Sequence, residues 1–151
     1  MNIFRDSIIT AKATPVLLCE AVISDANGRV LLTKRSQDSE LIKWGLPGGV
    51  VHMMESLEVA IVRVLHESHG ILVWPHKILS VVEHLGRIGC EYGEHTVSVV
   101  YAADLLSQIH AERQSSSSRA ESWHSRRNLP TPMTESALVA LGCNERVASG
   151  D

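Results

Sequence analysis

The chain has 151 residues, 44% hydrophobic and 21% charged, the balance of a single soluble globular domain with its own core. A formal net charge of −3 gives no general basis for holding nucleic acid or an anionic membrane, and neither partner is expected. Three widely spaced cysteines and no run of about 18 apolar residues exclude a disulfide scaffold, a cysteine-rich zinc site and a membrane span, so a cytoplasmic protein is expected.

Residues 1–13 read as an N-terminal extension. Pro15 to Ser24 is apolar and rich in β-branched residues, the pattern of a buried strand. Asp25-Ala-Asn-Gly28 is a turn, and Arg29 to Arg35 reads as the returning strand of a hairpin. Ser36 to Lys43 is polar and is expected as a loop. Gly48 and Gly49 follow Pro47 and allow the backbone to approach a ligand closely.

From Ser56, a plausible N-cap, apolar residues fall at Leu57, Ala60, Ile61, Val64 and Leu65, which predicts a helix ending at Gly70. Ile78–His84 and Thr96–Ala103 read as two more strands. Residues 114–119 read as a flexible serine-rich loop. Thr131-Pro132 suggests an N-cap followed by proline in the first turn of a helix running to Leu141, and residues 145–151 as a tail. The order of elements predicts one α/β domain over residues 1–151, with a mixed sheet between helices.

The chemistry concentrates in Trp44–Ile71, where a glycine-rich loop runs into an amphipathic helix. Val64, Glu67 and Ser68 share one helix face. Carboxylates at such spacing, with a backbone carbonyl from the Gly48-Gly49 loop, can hold magnesium, a hard cation that favours oxygen. Glu55 and Arg63 lie two helical turns apart and can pair across the junction of loop and helix. His52, His66 and His69 crowd the same region and could replace oxygen ligands with imidazole, which favours a transition metal; solvent-exposed histidines are the plainer alternative.

This stretch resembles the Nudix box, Gx5Ex7REUxEExGU with U aliphatic, of the MutT-like Nudix hydrolases. Gly49, Glu55, Arg63, Leu65, Glu67, Gly70 and Ile71 match it, as do the lead-in WGLPG and the strand ending LLTKR. The resemblance implies an α/β/α sandwich with a mixed sheet. It also implies hydrolysis of a nucleoside diphosphate linked to another group, with magnesium, or manganese in its place, as cofactor. Gly48, Glu67 and Glu121 would hold the metal, Glu55 and Arg63 would brace the box, and Arg35 would hold phosphate. The pattern departs at Val64 and Ser68, where glutamates are usual, and at Met54, where glycine is usual.

Those losses weaken the metal site and leave open a Nudix fold that binds nucleotide without hydrolysing it. A third alternative is the GDP-mannose mannosyl hydrolase subgroup, which cleaves the sugar C–O bond. Glu20 in ATPVLLCEAV, Arg35, and His95 opening HTVSVVY are similar to that group, with Glu20 and Arg35 toward substrate and His95 as a proton donor. Its loop histidine has no direct counterpart in RAESWH, unless His124 or His110 serves. Many Nudix proteins are dimers, which leaves a homodimer open.

Overall fold

The computed structural model describes residues 14–38, 41–85, 95–108 and 121–143. The N-terminal extension, the serine-rich loop, the tail, Cys90 and His110 lie outside the described residues.

The elements run β1 (Val16–Ser24), β2 (Val30–Asp38), β3 (Leu41–Gly45), β4 (Gly48–Val50), α1 (Leu57–His69), β5 (Ile71–Leu85), β6 (His95–Gln108), β7 (Glu121–His124) and α2 (Glu135–Ala140). Strands β3-β2-β1-β6-β5 lie side by side, with β4 paired to β1 and β7 to β2. β1 and β6 are parallel from Val16–Thr96 to Ser24–Asp104, and the other pairs are antiparallel, so the sheet is mixed.

β1 is central, which is why Leu18 to Ile23 is buried without interruption rather than alternating. Cys19, Ala21 and Ile23 point into a core with Ala60, Ile61, Val64 and Leu65 of α1. On the opposite face Val22 packs with Leu32, Leu46, Val100, Met133 and Ala137 of α2. Two helices therefore cover two faces of one sheet, the expected α/β/α arrangement.

Both ends of α1 follow local rules. Ser56 has extended backbone (φ −70°, ψ 156°) and its hydroxyl accepts from Val59 N–H at 3.3 Å. Gly70 adopts the left-handed conformation at φ 64° and donates to His66 O at 3.1 Å.

Three expectations need correction, and one further strand appears. Within the loop expected at 36–43, residues 36–38 are instead the end of β2 and 41–43 the start of β3. β5 begins at Ile71, seven residues before the expected strand, with register shifts that carry it past Pro75. Residues 121–124 form β7 against β2. Thr134, not Thr131, caps α2, because Pro132 O accepts from Trp44 N–H (2.9 Å) and Thr134 N–H donates to Trp44 O (2.8 Å), tying 132–134 to β3 before the helix begins.

Among the described residues no helix is long and apolar enough to cross a membrane.

Candidate active site

β4 sets the position of the loop. Cys19 faces Gly49 and Glu20 faces Gly48 across the β1–β4 ladder. A Cβ on Gly48 would lie 2.1 Å from Cys19 O and 2.7 Å from Glu20 Cα, so the missing side chain makes room for β1. A Cβ on Gly49 would lie 2.9 Å from Val64 Cγ1. The close approaches that the glycines permit are thus to the protein's own backbone and to α1.

Arg63 closes the junction between loop and helix. Its Nε donates to Glu55 at 2.5 Å, and its Nη2 to the other Glu55 oxygen at 2.8 Å and to Val50 O at 2.9 Å. Nη1 reaches Glu67 at 3.3 Å, although Glu67 is largely exposed. His52 N–H adds a bond to Glu55 at 3.1 Å. The Arg63 hydrogen bonds hold the Glu55 carboxyl at about 2, well below the usual carboxylate value, and Glu55 and Glu67 in turn raise Arg63. Met54 sits at the loop tip, 97% exposed and at φ 63°, a conformation that the glycine usual there adopts without strain.

The remaining candidates fall in separate places. Val64 is buried against Cys19 and Gly49, and burial, opposed by a weak Sγ–Gly49 O contact, pushes the Cys19 thiol up to about 11. Glu121 is engaged by Nδ1 of His69, whose side chain is 1% exposed and whose Nε2 has no partner. His69 is therefore an interior residue rather than one of three exposed histidines around the helix; His52 and His66 are exposed. His95 Nε2 meets Glu83 at 2.7 Å at the exposed start of β6. His124 packs edge-on against Trp44, 4.8 Å between centroids, and reaches Ser122 Oγ at 2.6 Å.

Glu20 and Arg35 flank the Leu46–Gly48 segment and are both buried. Both Glu20 oxygens lie at hydrogen-bond distance from the single Ser136 hydroxyl (3.0 and 3.1 Å), so they share one proton. Arg35 Nη2 donates to Leu46 O at 2.6 Å, while its Nε is buried without an acceptor. Ser136, Glu83 and the Val50 carbonyl escape sequence reasoning because each acts through a partner that only the fold supplies. Thr134-Glu135-Ser136 carries a capping signal, but nothing in it points to a carboxylate 116 residues away.

These donors do not suit magnesium. The ion asks for near-octahedral oxygen coordination. Glu55 and Glu67 face Arg63, Glu121 faces His69, and a valine lies on Gly49 where the helix would offer an acid. Among the described residues no three His, Cys, Asp or Glu side chains come together in a way that could hold a metal.

The family model of the NUDIX domain matches residues 20–140. The structure is similar to a MutT NUDIX hydrolase from Burkholderia pseudomallei, at 34% identity over 85% of this chain and 97% of that one, with a TM-score of 0.71. It is also similar to a MutT protein from Methanosarcina mazei Go1 (24% identity, 85% and 91% covered, TM-score 0.64). An ADP-ribose pyrophosphatase from Streptococcus suis is similar at 24% identity, with 87% and 93% covered and a TM-score of 0.60. The last two, below a quarter identical, speak to the fold alone. No curated protein matches the chain.

Proposed function

This chain belongs to the NUDIX domain family, and from that premise we propose that it is a divergent Nudix-type hydrolase of nucleoside diphosphates linked to a second moiety. The braced junction carries this reading. Arg63 holds Glu55, Glu67 and the Val50 carbonyl together, so loop and helix keep a fixed relation although two acids of the pattern are missing. In this proposal Arg35, whose Nε lacks an acceptor, holds a phosphate oxygen. Glu20 accepts a hydrogen bond from the linked group, and His95 supplies a proton. The substrate class is also the one in the names of the ADP-ribose pyrophosphatase and of a UDP-X diphosphatase with 19% identity, which guide the choice of compounds to test and do not fix the substrate.

A second reading, nucleotide binding without turnover, is favoured by one observation: Val64 packs on Gly49 in place of an acid. General acid–base help alone is worth roughly 10²–10⁴ in rate, so the proposed enzyme is slow.

A thermal-shift panel of nucleoside diphosphate derivatives, followed by turnover assays on every binder with and without magnesium, tests both readings. A ligand at about 100 times its dissociation constant adds roughly 2.7 kcal/mol whether or not it is cleaved. Binding with slow product release supports the hydrolase. Binding without release on any time course leaves the second reading, and absence of binding across the panel sinks both.

A further inference from the structure

The misfit to magnesium is systematic. A divalent ion needs free oxygen atoms and the space between them. The acids that the family pattern would set on an ion are already turned toward nitrogen donors, Glu55 and Glu67 toward Arg63 and Glu121 toward the interior His69. The space is closed by Val64, 4% exposed, with a methyl group against Gly49. In its place stands a guanidinium that makes four hydrogen bonds to three residues of the loop and helix. A guanidinium stays charged at every accessible pH and its donors form a fixed planar fork.

We propose that the loop–helix site of this chain works without a protein-bound divalent cation: Arg63 holds together the acids that an ion would otherwise bridge, and binding of the nucleotide ligand does not depend on magnesium. The first half stands on the geometry alone. The second rests on the reading that the chain binds a nucleoside diphosphate derivative.

The first test is a titration of ligand-free, full-length protein with manganese, followed by the paramagnetic signal of the free ion. The expected result is no saturable uptake at millimolar concentration. Saturable uptake that is lost in Glu67→Gln or Glu121→Gln overturns the proposal. The wild-type titration, read beside these two variants, decides the question without Val64→Glu, which buries a charge and could prevent folding. Where Val64→Glu with Ser68→Glu does fold, it should take up manganese at least about 100-fold more tightly than the parent, since supporting groups alone are worth about 10–100-fold in metal affinity.

The second test compares nucleotide-induced thermal shifts in EDTA and in magnesium. Equal shifts are expected. A shift that requires magnesium overturns the inference and leaves the binding reading intact. No shift in either condition sinks the binding reading, and the manganese titration still decides the cation question.

Discussion

Gly49 and Val64 show how one substitution changes the meaning of its neighbour. With valine on the helix, the space beside Gly49 is filled by a methyl group at contact distance. Gly49→Ala should therefore overpack the site and cost about 1–3 kcal/mol, measured as a lower urea midpoint with an unchanged m-value. Val64→Ala removes the obstructing methyl groups and carries its own cavity cost. Together the two should cost at least about 1 kcal/mol less than their sum. Strict additivity would show that the contact is not the constraint. Gly48→Ala offers the control: it strikes the backbone of β1, which Val64→Ala cannot relieve, and its cost should exceed that of Gly49→Ala.

Glu55 supplies a second prediction at this scale. Its folded value of about 2 lies below the ordinary 4.5, chiefly through the Arg63 hydrogen bonds. A depressed carboxylate contributes stability that is fully present above the ordinary value and is lost as pH falls toward the folded one. The wild type should thus lose more stability between about pH 5 and pH 2 than Glu55→Gln, with Arg63 charged throughout. Parallel pH profiles from chemical unfolding would mean that the pair does not set acid stability. The pairing of Glu55 and Arg63 is legible in the sequence because opposite charges with long side chains flank the start of a recognisable helix. The third contact, to Val50 O, is not legible, because a backbone carbonyl has no letter.

At the scale of elements, legibility follows how a segment buries its side chains. α1 shows apolar spacing, a serine cap and a terminal glycine, three local signals that agree, and it forms between the expected ends. β1 is apolar throughout and forms almost where expected. The strands that escape are short or polar. β4 is Gly-Gly-Val, whose pairing with β1 needs the absent side chain of Gly48, and the same composition reads as a loop. β3 and β7 sit beside β2, each with a single tryptophan packed on a core and the rest of the strand held by ladder bonds. Pro75 in β5 argues against a strand there, yet a register shift beside it lets the pairing with β6 resume at Lys77. α2 starts late because its leading residues pair with Trp44, a contact made across more than 80 positions of sequence. Local chemistry thus marks the helix that carries the site, while the sheet that holds it depends on pairings between distant segments.

At the scale of the molecule, the α1 core and the α2 core lie on the two faces of the sheet, and β1 contributes to both. Glu20 is where that central strand presents a carboxylate to the α2 layer, 1% exposed, with both oxygens dependent on the Ser136 hydroxyl. A buried carboxylate served by one shared proton is expensive to leave unpaired. Ser136→Ala should therefore destabilise the domain by about 1–3 kcal/mol or more, beyond what loss of a small exposed hydroxyl would cost. Glu20→Gln removes the charge and brings its own amide protons, so Ser136→Ala should cost less in that background. A coupling of roughly 0.5–3 kcal/mol between the two positions is the expected result of a double-mutant cycle in urea. Such coupling would establish that a single buried hydrogen-bonded acid ties the first strand to the last helix, across 116 positions of sequence, behind the loop that carries Gly48 and Gly49. Independent costs would instead mean that α2 is held by its apolar contacts with Leu32, Leu46 and Val100 and not by this bond.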